Sequence, residues 1–127
     1  TLLTHAFNAM NGIGHREPGP VVAAFEHPGV TLELILDGVH VHPSVAALAF
    51  REAPGRIALV TDAMAAAGSA DGDYRLGGLD VTVAQGRAVL AGTDTIAGST
   101  LTQEVALRNA VERAGIDPVA AVTALTL

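Results

Sequence analysis

Cysteine is absent from this sequence, so disulfides and thiolate metal ligands are excluded. A metal bound here would draw on imidazole and carboxylate, a hard-to-borderline ligand set. Lysine and tryptophan are missing too, and all seven basic residues are arginine. Aromatic residues make up only 3%, which leaves alanine, valine, leucine and isoleucine to build the core. Charged residues are sparse at 16% against 50% hydrophobic, a balance that speaks against disorder. The formal net charge of -6 speaks against a nucleic-acid or anionic-membrane surface, where positive charge is needed. No apolar run is long enough to span a bilayer and no signal peptide is found, so a soluble, cytoplasmic chain is expected. The 127 residues suit one domain with a modest core.

What is present alternates between strand and helix. Residues 1–4 read as the end of a strand, residues 20–26 as a short helix, and the apolar run 31–36 as a buried strand closed by Asp37–Gly38. Pro43 opens a helix over 43–53, where Val45, Leu48 and Ala49 recur at helical spacing. Pro54–Gly55 stops it, and residues 56–60 form the next strand. The order strand, helix, strand, helix, strand predicts parallel βα units. Residues 65–78 are small, Gly-rich and polar, which predicts a loop. Residues 79–90 alternate around Gln85–Gly86 as an inserted β-hairpin does. An amphipathic helix is expected over 102–114, with Thr102 as its cap and Gly115 at its stop. Asp117–Pro118 then begins a last helix running toward Leu127.

In parallel βα folds the chemistry gathers at the carboxyl ends of the strands. Each expected strand here ends on a chemically capable group: His5, then Asp37 and His40, then Asp62. His5 reads either as a hydrogen-bonded structural histidine or as a metal ligand, since neutral imidazole is the commonest protein ligand. His40–Val41–His42 places two imidazoles two residues apart, but two histidines make no site without a third ligand. His40 is the functional candidate; His42, before Pro43, is expected to be structural or solvent-facing. Asp62 reads either as a helix cap or as a general base that takes a proton from water and returns it to a leaving group. Arg16, in a loop, is either a solvated charge or a fork for phosphate. His15 and His27 have no convergent setting. The Gly-containing turn 95–99 ahead of a helix offers backbone N–H groups to an oxygen-rich ligand.

Five segments, taken together, carry a resemblance. They are Thr4–His5–Ala6–Phe7–Asn8–Ala9–Met10, Arg16–Glu17–Pro18–Gly19, Asp37–Gly38–Val39–His40, Leu59–Val60–Thr61–Asp62–Ala63 and Ile96–Ala97–Gly98–Ser99. Their order and spacing resemble the N-acetylglucosamine-6-phosphate deacetylases of the amidohydrolase superfamily, over essentially the whole chain. The resemblance implies that His5 is a ligand of a divalent metal, zinc or iron, and that Asn8 and Ala9 touch the sugar. It implies that Arg16 binds the substrate phosphate in the neighbouring site of a homodimer. Asp37, Gly38, Val39 and His40 match a substrate-binding stretch in which His40 supplies the side chain. Asp62 matches the catalytic acid/base, and Ile96, Ala97 and Gly98 the loop that closes over the substrate. The implied reaction hydrolyses the acetamido group of a phosphorylated amino sugar, giving glucosamine 6-phosphate and acetate.

The same resemblance implies further metal ligands upstream and a small β-domain downstream. A (β/α)₈ barrel needs roughly 250 residues. The expected fold is therefore α/β: a C-terminal fragment of a (β/α)₈ metal-dependent hydrolase barrel with an inserted β-hairpin, about three βα units of a partial catalytic domain. Alone, this chain is expected to hold no tight metal and to be inactive. Two other readings stay open: an amidohydrolase acting on another N-acyl or cyclic amide, and a non-catalytic fragment serving as an assembly module.

Overall fold

The computed structural model describes residues 1–126. Its first half is built from βα units. Strand β1 (Leu2–Leu3), helix α1 (Gly19–Glu26), strand β2 (Thr31–Leu34), helix α2 (Pro43–Glu52) and strand β3 (Ile57–Leu59) follow one another. The three strands form a parallel sheet in the order β1-β2-β3, with Leu3 beside Leu32 and Leu34 beside Leu59. β2 is the central strand, and Leu32, Leu34, Ile35 and Leu36 are all buried. Within β2 the burial alternates, with Leu32 and Leu34 buried and Thr31 and Glu33 half-buried, and the apolar run continues past the strand through Ile35 and Leu36.

The scarcity of aromatic side chains shows in the packing. The faces turned to the core are largely alanine: Ala46, Ala49 and Ala53 around α2, and Ala121 and Ala124 of the last helix, α4 (Pro118–Thr126). Caps fix where these helices begin. His42 Nδ1 accepts from the Ser44 N–H at 3.1 Å, so His42 is the N-cap of α2, a structural role. Asp117 Oδ2 accepts from the N–H groups of Val119 and Ala120 and starts α4.

Arg56, immediately before β3, fastens α1 to the sheet. Its Nη1 reaches the carbonyls of Ala24, His27 and Val30, and its Nη2 that of Phe25. A guanidinium here satisfies the orphan carbonyls at the α1 C-terminus and opposes its dipole. A lysine offers one point charge and no planar fork. Arg56→Lys is therefore expected to destabilise the chain by about 1–3 kcal/mol, read as a lower midpoint in urea denaturation. An unchanged midpoint would remove Arg56 from the list of structural anchors.

The second half departs from the sequence expectation at two places. Residues 72–76, expected within a loop, form strand β4 (Gly72–Leu76). β4 pairs antiparallel with β5 (Leu79–Ala84), which pairs with β6 (Arg87–Leu90) through the expected Gln85–Gly86 turn. Four of the five β4 residues are exposed, so the strand lacks the apolar alternation that would announce it. Backbone pairing to β5 holds it instead. The helix expected over 102–114 is also divided. Helix α3 (Gln103–Arg108), capped by the Thr102 hydroxyl, runs into a π-helical turn (Asn109–Arg113). There the Ala114 N–H reaches back five residues to the Asn109 carbonyl. No helix among the described residues is long and apolar enough to cross a membrane.

Beyond β3, the parallel order continues at one point. Ala63 and Ser99 form a parallel bridge, in which the Ser99 N–H donates to the Asp62 carbonyl and the Met64 N–H to the Ser99 carbonyl, each at 2.9 Å. Since α3 follows shortly after, Ser99 stands where a further parallel strand would stand.

Candidate functional site

The carboxyl ends of the parallel strands converge on one cavity of about 460 Å³. His5, Asn8 and Ala9 enter it from the turn after β1, Ile35 and His40 from β2 and its following loop, and Asp62 from beyond β3. Asp94, Thr95, Ile96 and Gly98 close its remaining side.

The backbone here is under local strain. Non-glycine residues with positive φ among those described are His5 (32°), Phe7 (75°), Ala9 (53°), Asp62 (45°) and Gln85 (52°). Gln85 sits in the β5–β6 turn, where that conformation is ordinary. The other four flank the cavity, and such outliers persist only where the surroundings over-determine them. For His5, the Ala6 N–H bonds the Glu33 carbonyl and the Asn8 N–H bonds the His5 carbonyl. For Asp62, the restraint is Ser99, whose N–H holds the Asp62 carbonyl while its hydroxyl holds the Thr61 carbonyl. Position 98 favours glycine: Gly98 has φ 66°, and a Cβ there would sit tightly at 3.3 Å from the Asp62 carbonyl oxygen.

The cavity is lined by two exposed carboxylates, Asp62 and Asp94, and a third, Asp37, is enclosed against His40. The Asp62 side chain is exposed at the cavity. Asp37 is enclosed, with Oδ2 2.7 Å from His40 Nδ1 and Oδ1 accepting from the N–H groups of Val39 and His40 at 2.8 Å. Burial opposes ionisation of Asp37. The ring and backbone hydrogen bonds from His40 and the Val39 N–H outweigh it, and hold the carboxyl below its ordinary 3.8.

Of the residues singled out in the sequence, His5, Asn8, Ala9, His40, Asp62, Ile96 and Gly98 are brought together. Arg16, Asp37, Gly38, Val39 and Ala97 do not line the cavity. Arg16 is exposed in the loop before α1. Gly38, with φ 80°, lies under the Arg113 guanidinium, and Ala97 is buried in the apolar cluster of the antiparallel sheet. Val39 instead lines a neighbouring concavity with Thr82, Arg87 and Asp94. Thr95, part of the turn 95–99 singled out in the sequence, lines the cavity too, whereas sequence reasoning missed Ile35 and Asp94. Asp94 carried a usable signal, as a polar residue immediately before that turn.

A divalent metal can be tested against these donors. His5 Nδ1 is buried with no hydrogen-bond partner, the condition that ligation would relieve. Among the described residues no group of three or more His, Asp or Glu gathers to hold an ion. His5 thus fits as one member of a ligand set that needs donors from outside these residues.

Parallel strands that each bring a polar group to one cavity at their carboxyl ends define an α/β chain of the kind that gathers its chemistry at that end of the sheet. No family model matches the sequence. The chain is 46% identical over 118 residues to a putative N-acetylgalactosamine-6-phosphate deacetylase of Escherichia coli K12, covering 93% of this chain and 70% of that protein. It is 47% identical over 100 residues to the N-acetylglucosamine-6-phosphate deacetylase of Bacillus subtilis, covering 78% of this chain and 25% of that one. The solved structure of a mutant N-acetyl-D-glucosamine-6-phosphate deacetylase from Mycobacterium smegmatis, in complex with N-acetyl-D-glucosamine-6-phosphate, superposes with a TM-score of 0.90 at 50% identity. That match covers 98% of this chain and 33% of the other. The chain belongs to the N-acetylglucosamine and N-acetylgalactosamine 6-phosphate deacetylase family. It spans about a third of the length of the solved relative.

Proposed function

We propose that this chain is the part of an amino-sugar-6-phosphate deacetylase that carries the proton-transferring aspartate and one metal-binding histidine, on the last units of a (β/α)₈ barrel into which the 72–90 sheet is inserted. The observation that carries this reading is the convergence of His5, His40 and Asp62 on one cavity from three successive parallel strands. It is supported by relatives named for this reaction at 46–47% identity.

In the proposed reaction the amide C–N bond of the N-acetyl group breaks. The oxygen of water ends on the acetyl carbon, and the nitrogen leaves as the amine. His5 would hold a divalent cation, zinc or iron, together with donors outside these residues; when bound, that cation supplies Lewis-acid polarisation. Asp62 receives the proton that the attacking water gives up and returns it to the leaving nitrogen. His40, Asn8 and Ala9 contact the sugar. The loop bearing Asp94, Thr95, Ile96 and Gly98 lies over the remaining side and excludes solvent. Arg16 is exposed and outside the cavity, which suits a phosphate contact made in the neighbouring site of a homodimer. The protein acts in the cytoplasm.

Acetate release from N-acetylglucosamine 6-phosphate, its galactosamine epimer and unphosphorylated N-acetylglucosamine tests the reading, with the intact metal-loaded protein as catalyst. The 6-phosphates are expected to be the better substrates. Arg16→Met is expected to raise KM for the phosphorylated sugar by about tenfold or more while leaving the unphosphorylated one unaffected. An equal effect on both sugars would favour an amidohydrolase of another N-acyl substrate.

A further inference from the structure

The resemblance places Asp37 among the substrate-binding residues, but its surroundings give it different work. Both carboxylate oxygens are engaged within its own turn: Oδ1 by the Val39 and His40 N–H groups, Oδ2 by the His40 ring. The His40 and Asp37 side chains are only 7% and 11% exposed, and of the two only His40 lines the cavity.

We propose that Asp37 is a positioning residue: it fixes His40 in the tautomer with the proton on Nδ1, so that Nε2 is the ring nitrogen left to meet the substrate. This rests on the reading above that His40 faces bound substrate. The argument is one of hydrogen-bond valence. An ionised carboxylate only accepts, so the nitrogen 2.7 Å from it must donate. Neutral imidazole has one N–H, and once Nδ1 carries it, Nε2 presents a lone pair. The lowered pKa of Asp37 keeps the acceptor charged at neutral pH.

The surrounding structure holds this pair in place from below. Asn109 Nδ2 donates to the Leu36 carbonyl at 2.9 Å, across 73 residues of sequence, and so anchors the residue just before Asp37. The Arg113 guanidinium occupies the space beside Gly38 where a Cβ would stand. Both come from the π-helical turn, an element that often marks functional sites in helices. The turn carrying Asp37 is thereby fixed independently of any ligand, which is the condition for a preorganised contact.

Asp37→Asn gives a sharp test. One amide oxygen can still accept from the two backbone N–H groups, so the turn survives. The amide NH₂ then faces His40 Nδ1 as a donor, and the ring must accept there. Ring ¹⁵N shifts of the histidine-labelled intact protein, with the His40 signal assigned by its loss in His40→Gln, are expected to show Nδ1–H in the parent and Nε2–H in the variant. Kinetically, Asp37→Asn is expected to lower kcat/KM by about tenfold or more, mainly through KM. That penalty should vanish in the His40→Gln background, because the carboxylate acts through the ring. An unchanged tautomer, or a penalty that persists without His40, overturns the proposal. The tautomer measurement needs no turnover. Absence of acetate release from the parent protein would therefore count against the deacetylase reading, and an unchanged tautomer against Asp37.

Discussion

Asp62→Asn is expected to lower kcat for acetate release by about 10²–10⁴-fold, with KM changed little. Asparagine keeps the shape and the hydrogen-bonding reach of the side chain but cannot carry a proton between water and a leaving amine. It is also among the few residues that tolerate the left-handed backbone, so φ 45° at this position is no obstacle. The Ser99 bond to the Asp62 carbonyl is a main-chain contact and is unaffected. Stability should therefore stay within about 0.5 kcal/mol of the parent, which separates a chemical defect from a folding one. A kcat within a few-fold of the parent would remove Asp62 from the proton-transfer role. Normal metal content in the variant would show that the defect does not come from a lost ion.

Leu34→Ala carries the largest expected effect on stability, about 2–5 kcal/mol by urea denaturation. Leu34 is fully buried on the central strand, and its carbonyl receives the Val60 N–H that leads toward Asp62. A loss of that size is a substantial share of the roughly 5–15 kcal/mol that holds a typical domain folded. Leu76→Ala is the control, since Leu76 is 40% exposed at the end of β4. It should cost about 0.5 kcal/mol or less. Equal losses at the two positions would mean that the parallel sheet is not the stabilising core.

The parallel half of the fold was legible because buried strands and Ala-faced helices write strong patterns. Residues 31–36 could be little else, and Pro43 and Asp117 announced their helices. The hairpin turn at Gln85–Gly86 was equally plain, whereas β4 was not. Its sequence, Gly-Asp-Tyr-Arg-Leu, is mostly exposed, and its partner strand rather than its own periodicity makes it a strand. The division of α3 was also hidden, because a π turn differs from an α turn by a single hydrogen-bond register. At the site, strand-end position picked out His5, His40 and Asp62, which line one cavity. It could not tell that Asp37 turns inward, since inward and outward carboxylates at a strand end share the same sequence. Ser99 was part of a recognised segment, yet its burial and its grip on Asp62 depend on a bridge across 36 residues.

The π-helical turn has a consequence for length variation in this chain. A π turn holds one residue more than α-helical geometry requires, so deleting a residue between 109 and 113 would leave a regular helix and cost nothing locally. It would also rotate everything beyond it by about 100°. Ile116 would swing away from the core, and α4 with Ala121 and Ala124 would lose its seat against β3. The surplus residue is thus a phase adjuster: it lets one helix reach the loop of β2 with Asn109 and still deliver the next helix to the sheet in the correct orientation.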